Sequence, residues 1–386
     1  MMRIVCFSSG LLPRVKDMTC IVTHHDVRGK WNTKAVFCLI LSHIHIILRM
    51  SKEILHYARL PWPTPWQEFF GVEAPILLEI GFGGGQFLVD LAERRPHCNV
   101  LGLEISLPSL RRGAKKLKTS MVSNALVLQA DSNAALWLLF KPQSISEVFI
   151  NFPDPWPKAN HHHRRLIDGK FLHLLGSRMR PEGLLEIATD HGDYATVIAR
   201  CLEDSPYFDS RLDVPFVYDD SGRLRTKYEK IALLAGRACH YFKWQRNKRR
   251  APNEFPIPEE DIVPHVVISH PMNIDQIGGQ FEPFYEAAGN TYIKYLDMYH
   301  SVQERLLLVE IYVNEEPFHQ RVCLAIRARQ EGDLVVGLHE VGFPRPTPGI
   351  HLAVHYLVEW LCSLHTDVKV VGSTLKLPTQ TGSNSS

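Results

Sequence analysis

The chain has 386 residues, of which 45% are hydrophobic, so it can bury a sizeable core in about two or three domains of typical size. Its formal net charge is only +2, so the overall charge does not indicate a polyanionic partner, and any basic surface must be local. The 8 cysteines are scattered without a CxxC pair, which favours reduced cytosolic thiols over a disulfide framework or a zinc ribbon.

The N-terminal segment, residues 1–49, differs in pattern from the rest of the chain. It mixes Cys, His and Trp without a sustained helical or strand period, so we expect disorder, or a start codon assigned too early with Met50 as the true start. The apolar run 35–48 is too short to span a bilayer, and a short buried helix is the alternative there. No convincing signal peptide occurs, so we expect a soluble, cytoplasmic protein.

Apolar runs suited to buried strands alternate with helical stretches between residues 74 and 246. The predicted strands are 76–80, 100–103, 125–128, 147–151 and 184–188, and the helical stretches between them include 86–95 and 109–118. This rhythm predicts a parallel sheet covered by helices on both faces.

A glycine-rich loop, within LLEIGFGGGQF, follows the first of these strands and precedes a helix. Gly81, Gly83 and Gly85 would let the backbone turn sharply and approach a ligand closely. The dinucleotide fingerprint G-x-G-x-x-G would place its third glycine at Gln86, which weakens a prediction of NAD binding. The spacing from Glu79 through the three glycines instead resembles the first motif of class I methyltransferases. A purely structural strand–helix turn is the alternative.

Acidic residues stand at the ends of the next two strands. Glu104 ends the second strand, where a carboxylate can accept hydrogen bonds from both ribose hydroxyls of a nucleoside. Asp131 ends the third strand, where methyltransferases commonly contact adenine. Either acid alone could be a helix cap or a solvated strand end. Together with Glu79 they predict a cofactor site, because ligands bind at the carboxyl edge of such sheets.

A stiff loop with the sequence INFPDPWPK follows the fourth strand. Its prolines can hold Asp154 in a fixed place, where a carboxylate stabilises a sulfonium or a developing cationic base. A rigid turn with a capping Asp is the structural alternative. Downstream, Lys158, Arg164 and Arg165 form a local positive patch suited to phosphate contacts. We expect no metal at 161–163, since adjacent histidines cannot easily aim at one ion.

Two later segments carry polar groups that suit a nucleic-acid base. Asp190 follows the fifth strand, in IATDHGDY. A second motif consists of Thr226, Lys227, Tyr228 and Glu229. This set can recognise a purine by stacking and edge hydrogen bonds. The many cations between residues 223 and 250 are either a solvated face or a nucleic-acid track beside the site.

Taken together, these motifs resemble the bacterial tRNA (guanine-N7)-methyltransferase family. The shared segments are LEIGFGGG, GLE, QAD, NFPDPWPK with HHHRR, ATD and TKYE, in the family's order over about 77–246. The PDPWPK loop and TKYE are the specific parts, because many methyltransferases share the glycine loop. Asn160 and His163 depart from the pattern, since family members often carry Arg or Lys there.

The resemblance implies an α/β, Rossmann-like class I methyltransferase fold with a mixed, mostly parallel sheet. The strand-like runs HVVISH, LLLVEIYV and VCLAIRAR, a helix at about 350–364 and a final strand at 368–375 predict a small C-terminal α+β domain in addition. The predicted divisions are an N-terminal extension 1–49, a methyltransferase domain 50–249, a linker 250–264, an accessory domain 265–378 and a disordered tail 379–386. The accessory domain is placed like the extensions of long, notably thermophilic, members. It is either an RNA-gripping accessory or a packing module, and its modest charge favours stability or assembly.

The resemblance also implies the reaction, which is methyl transfer from S-adenosyl-L-methionine to N7 of guanine 46 in tRNA, with no metal and no membrane. The implied catalytic residue is Asp154. The implied cofactor contacts are Glu79, Gly81, Gly83, Gly85, Glu104, Asp131 and Asp154. The implied substrate contacts are Lys158, Asp190, Thr226, Lys227, Tyr228 and Glu229. Two alternatives are a methyltransferase for another RNA or a small molecule, and a non-catalytic RNA-binding protein. The sequence does not decide between monomer and homodimer.

Overall fold

The computed structural model describes residues 54–258, 262–301, 304–329 and 332–377. All of them belong to one compact unit, Lys52–Ser386. The predicted extension 1–49 and the predicted tail 379–386 lie outside the described residues. The described residues build two β-sheets, each with helices packed against it.

The first sheet is mixed and mostly parallel. Its strands are β1 (Leu55–His56), β2 (Ile76–Ile80), β3 (Asn99–Glu104), β4 (Ala125–Gln129), β5 (Ile145–Asn151), β6 (Met179–Thr189), β7 (Phe208–Ser210) and β8 (His240–Arg246). They lie in the order β1-β4-β3-β2-β5-β6-β8-β7. Only β8 among the strands described there runs antiparallel to both of its neighbours, β6 and β7.

Helices alternate with these strands along the chain. They are α1 (Trp66–Phe70), α2 (Gln86–Arg94), α3 (Leu107–Ser120), α4 (Ser132–Leu139), α5 (Gly169–Arg178), α6 (Gly192–Asp204) and α7 (Lys227–Leu234). Every residue of β2 is buried, as expected for a strand covered on both faces. The alternation and the strand order confirm the predicted Rossmann-like class I methyltransferase fold.

The strand order reverses beside β2, and this reversal indicates where a ligand binds. From β2 the sheet extends through β3 and β4 to one side, whereas β5 and β6 lie on the other side. In doubly wound sheets, ligands bind at the carboxyl ends of the strands at such a switch point. The residues that follow β2 to β6 are therefore the candidates for a ligand-binding site.

The second sheet is antiparallel throughout its described strands. These are β9 (His265–Ser269), β10 (Phe284–Ala288), β11 (Thr291–His300), β12 (Leu306–Glu315), β13 (Phe318–Ala328), β14 (Asp333–Leu338) and β15 (Lys369–Ser373). Their order is β10-β11-β12-β13-β14-β9-β15. Two helices, α8 (Ile274–Gly278) and α9 (Pro348–Ser363), pack against it around a core that includes Val309, Leu324 and Val354. This confirms the predicted C-terminal α+β region.

The described start of the segment predicted as a linker, 250–264, contacts the helical layer of the first sheet at residues 253 and 255. Phe255 is buried and its ring meets that of Trp137 edge-on, with 4.9 Å between the ring centroids. The fully buried guanidinium of Arg178 donates from Nη2 to the carbonyl of Phe255 at 2.7 Å. These contacts fix the direction in which the chain leaves the first sheet.

None of the helices in the described residues combines the length and the hydrophobicity that a membrane span requires.

Candidate functional site

The glycine loop between β2 and α2 has a backbone that only glycine adopts without strain. Gly81, Gly83 and Gly85 have φ angles of 73°, 56° and 73°. A Cβ at Gly85 would stand 2.7 Å from Cα of Gly113 in α3, so a side chain there has no room. The loop is held to β3 because N–H of Gly81 donates to the carbonyl of Leu103 at 2.9 Å. The three predicted glycines therefore form a tight cradle at the end of β2.

Glu79 is a buried carboxylate beneath this loop. Its side chain accepts one hydrogen bond, from Asn151 Nδ2 to Oε1 at 3.2 Å. Its Oε2 is buried and has no hydrogen-bond partner among the described residues. Burial raises the pKa of Glu79 to about 8, although the bond from Asn151 and the charge of Arg223 oppose this shift. The unpartnered oxygen is suited to a donor supplied by a ligand.

Glu104 ends β3 and ties the glycine loop to the next turn. Its Oε2 accepts from N–H of Gly83 at 3.0 Å. Its Oε1 accepts from N–H of Ile105 at 2.9 Å and of Ser106 at 3.0 Å. Because a carboxylate oxygen has more than one lone pair, these bonds leave acceptor capacity for a hydroxyl.

Asp131 follows β4 and caps α4. Its Oδ1 accepts from N–H of Asn133 at 2.9 Å and of Ala134 at 3.1 Å, and the residue is exposed. The helix-cap alternative is thus realised in the geometry. The acid still stands at the carboxyl edge, in line with Glu79 of β2 and Glu104 of β3, because these strands are adjacent and parallel.

The loop after β5 presents Asp154 to solvent on a constrained backbone. Phe152 and Trp156 flank it with φ angles of 54° and 42°, in a region that non-glycine residues rarely adopt. Arg165 Nε donates to the carbonyl of Pro155 at 2.8 Å, and the Arg164 guanidinium lies 5.0 Å from the Trp156 ring centroid. Strain that neighbouring contacts maintain is typical of functional loops.

Basic and histidine side chains surround this loop. Lys158 is exposed and precedes the 3₁₀ helix Ala159–Arg164, while His162 and His163 are also exposed. His161 packs edge-on against Trp156, with centroids 5.8 Å apart. Among the described residues, no group of three or more His, Cys, Asp or Glu side chains is placed to hold a metal.

Asp190 follows β6 at the same edge of the sheet. Its Oδ2 lies 2.6 Å from Nη1 of Arg237, and both side chains are partly exposed. Thr189, the residue before it, is buried. Asp190, which was predicted to contact the substrate, therefore already pairs with the cation Arg237.

The TKYE motif splits into a buried half and an exposed half. Thr226 and Glu229 are buried and form a capping box at the start of α7, in which Thr226 Oγ1 accepts from N–H of Glu229 at 3.1 Å. Lys227 and Tyr228 point outward. A Cβ at Gly83 would stand 3.6 Å from Cε2 of Tyr228, so the tyrosine ring lies over the glycine loop.

Two residues that connect these parts, Asn151 and Arg223, were not among the predicted site residues. The side chain of Arg223 is only 2% exposed, and its Nη2 donates to Oδ1 of Asn151. Its Nε lies 3.6 Å from Oε2 of Glu229. Asn151 lies in the INFPDPWPK loop and Arg223 in the basic stretch 223–250. An arginine in a basic stretch gives no signal of burial. A buried polar chain thus runs from Glu79 through Asn151 and Arg223 to Glu229.

The chain is similar in sequence to known methyltransferases. The family model described as "Putative methyltransferase" matches residues 73–241. A Thermotoga maritima protein named tRNA (guanine-N(7)-)-methyltransferase is 37% identical over 171 residues, which cover 44% of this chain and 53% of that protein. A Cutibacterium acnes protein of the same name is 38% identical, covering 51% of this chain and 70% of its own length.

One relative is similar to this chain over a longer range, which includes part of the C-terminal region. The Thermus thermophilus protein named tRNA (guanine-N(7)-)-methyltransferase is 30% identical over 300 residues, which cover 78% of this chain and 93% of that protein. A match of this length extends beyond the first sheet, so this relative also carries sequence similar to the C-terminal region.

Proposed function

This chain belongs to the tRNA (guanine-N7)-methyltransferase family, and from that premise we propose that it transfers a methyl group from S-adenosyl-L-methionine to N7 of guanine 46 in tRNA. One observation carries the proposal. The ring of Tyr228 lies over Gly83, so the motif suited to a purine adjoins the loop suited to a cofactor. A methyl donor and a base bound there would be neighbours.

The residues of the cradle fit this cofactor. S-adenosyl-L-methionine carries a cationic amino group, two ribose hydroxyls and a neutral adenine, and it supplies a methyl group on a sulfonium. Glu79 has a buried, unpartnered Oε2 that suits the amino group. Glu104 suits the ribose and Asp131 the adenine, in the order in which β2, β3 and β4 lie. Gly81, Gly83 and Gly85 let the backbone approach the methionine portion without a side chain in the way.

The reaction requires little of the protein beyond positioning guanine N7 against the methyl donor. Guanine N7 carries a lone pair and no proton at neutral pH, so no general base is required. Methylation gives the ring a positive charge. Asp154 is exposed on its constrained loop, where a carboxylate stabilises that charge or accepts from N1–H and the exocyclic amine. Positioning and electrostatics therefore dominate catalysis.

The substrate side divides between contact and support. Lys158, Lys227 and Tyr228 are exposed and would meet the tRNA, with the tyrosine offering a stacking face. Thr226 and Glu229 would act by fixing the start of α7, since both are buried. A base held in tertiary contacts of folded tRNA must be displaced to reach this edge.

Nucleoside analysis of methylated tRNA tests the proposal. The purified chain, the cofactor and a tRNA transcript with guanine at position 46 should yield 7-methylguanosine. A transcript with adenine at that position should yield none. Methylation of the second transcript would contradict the assignment of position 46, and no product from either would contradict the reaction. Product on another RNA alone would support the alternative RNA substrate.

A further inference from the structure

The chain reaches the carboxyl edge of the first sheet at the end of β1, before the glycine loop. We call residues 57–62, which follow β1, the strap. β1 pairs in parallel with β4, with Leu55 opposite Leu128 and His56 opposite Gln129. Continuing this register places Tyr57 one step before Asp131 at the carboxyl edge. The strap therefore starts beside the acid assigned to adenine.

Residues of the C-terminal region hold the strap, one in the loop between β14 and α9 and one in β13. Arg345 donates from Nε to the carbonyl of Ala58 at 2.9 Å and from Nη2 to the carbonyl of Leu60. Its guanidinium lies 4.8 Å from the ring centroid of Trp62. The buried ring of Phe318 in β13 meets the same tryptophan edge-on at 4.8 Å. These contacts join main chain as well as side chains, so they fix the course of the strap.

Arg345 is itself held rigidly. Its N–H donates to Oε1 of Gln320 at 3.0 Å, and its carbonyl accepts from Nε2 of the same glutamine at 3.0 Å. Gln320 is buried in β13 and also donates to Oγ1 of Thr347, just before α9. A donor that is fixed before binding loses little entropy when it bonds the strap. The contact is thus a built feature of the second sheet.

Tyr57 is the strap residue placed to meet a ligand. Its ring packs edge-on against Phe318, with centroids 6.0 Å apart, and is only partly buried. Burial raises the pKa of its hydroxyl, and the nearby Asp131 carboxylate and the Tyr312 hydroxyl add to the shift. The Tyr57 residue therefore stands between the carboxyl end of β4, beside which β1 ends, and Phe318 of the second sheet. A tyrosine offers a flat apolar face and a donor, which suit a purine base.

We propose that Tyr57 is a further cofactor-binding residue on the adenine side, and that the second sheet serves the reaction by holding the strap there. The proposal rests on the proposed function and deepens it. It gives the C-terminal region a role in cofactor affinity, distinct from gripping RNA and from packing alone.

Two variants of the full chain test this proposal, Tyr57→Leu and Arg345→Met. Calorimetry measures the Kd for S-adenosylhomocysteine, and separate measurements give the tRNA affinity without cofactor and the melting temperature. Both variants should raise the Kd roughly tenfold, the effect of losing one good hydrogen bond or an aromatic contact. The tRNA affinity without cofactor should stay unchanged. Tyr57→Phe keeps the ring and should lose less affinity than Tyr57→Leu.

Lys170→Met provides the matched control. Lys170 pairs with Glu316, an exposed contact between the same two regions that does not touch the strap. It should leave the Kd unchanged. An Arg345→Met protein that melts earlier but binds S-adenosylhomocysteine normally would overturn the proposal in favour of a packing module, and so would normal binding by Tyr57→Leu. Loss of tRNA affinity alone would overturn it in favour of an RNA grip. If the unaltered chain bound no cofactor, the proposed function itself would fail.

Discussion

The amide of Asn151 has only one orientation that satisfies both of its neighbours. Arg223 can only donate hydrogen bonds, so it must face Oδ1 of the amide, and the Nδ2 group must then face Glu79. The same guanidinium lies beside Glu229, which caps the helix that carries Tyr228. One buried cation thus links Glu79, through Asn151, to the start of α7.

Replacing Arg223 by Met should destabilise the protein strongly. It leaves the Glu229 carboxylate, which is fully buried, without its nearby buried cation, and breaking a buried pair in this way costs about 3 kcal/mol or more. Urea denaturation measures the loss of free energy of unfolding. Arg225→Met is the control, because Arg225 lies 3.8 Å from the same carboxylate but is 51% exposed. That exposed pair should contribute less than about 1 kcal/mol. Equal losses in the two variants would refute the special role of Arg223.

Asp154→Ala should lower turnover far more than cofactor affinity. The carboxylate is exposed and should act on the charge of the methylated base, and removing one such electrostatic group costs roughly a hundredfold in kcat. Steady-state kinetics with tRNA and calorimetry with S-adenosylhomocysteine separate the two quantities. Unchanged turnover would remove Asp154 from the mechanism.

Glu79 should make stability depend on pH. Its pKa rises from 4.5 to about 8 in the folded protein, so the folded state holds a proton that the unfolded state has released between these values. The free energy of unfolding should therefore fall as pH rises through this window. Glu79→Gln removes that dependence, so its stability relative to the unaltered protein should increase from pH 5 to pH 8. Urea denaturation at both pH values measures this difference, and a constant difference would show that the carboxyl does not titrate there.

At the scale of single elements, buried parallel strands were the most predictable. The sequence pattern predicts β2 at 76–80, where the structure has it, because the strand is a short apolar run next to a glycine loop. β10, β11 and β14 were not predicted. β10 and β11 mix tyrosine and charged residues with apolar ones, since one face of the second sheet is solvated there, and a solvated face weakens the apolar signal. β14 is largely apolar but short, and the structure offers no comparable reason for its omission.

Some residues of the candidate site were predictable from sequence and others were not. The predicted strand ends place Glu79, Glu104 and Asp131 at one edge, because parallel strands bring their carboxyl ends together. The burial of Glu229 was not predicted, although the spacing Thr226-x-x-Glu229 is the sequence signature of a capping box and would have indicated a structural role. The position of Tyr57 depends on the second sheet, and local sequence does not encode such a distant contact.

The capping box of α7 predicts separable effects of two adjacent substitutions. Thr226→Ala removes the acceptor for N–H of Glu229 and should lower the free energy of unfolding by about 1 kcal/mol. Lys227→Met, at the next and exposed position, should leave stability unchanged but weaken tRNA binding, more so at low salt. Denaturation and filter binding measure the two effects. A loss of stability in Lys227→Met, with none in Thr226→Ala, would contradict this division.

In the molecule as a whole, the C-terminal region contacts the first sheet at its carboxyl edge and at its helical layer. At the edge, the strap contacts Phe318 and Arg345. At the helical layer, Lys170 of α5 pairs with Glu316, between β12 and β13. We infer that the C-terminal region completes the cofactor site rather than acting as an independent attachment.

A crystal structure with S-adenosylhomocysteine would show whether one crevice at this edge holds the cofactor under Tyr228. We expect the amino group at Oε2 of Glu79, the ribose at Glu104, and the adenine between Asp131 and Tyr57. Ligand density elsewhere, or these carboxylates facing away from the ligand, would contradict this expectation.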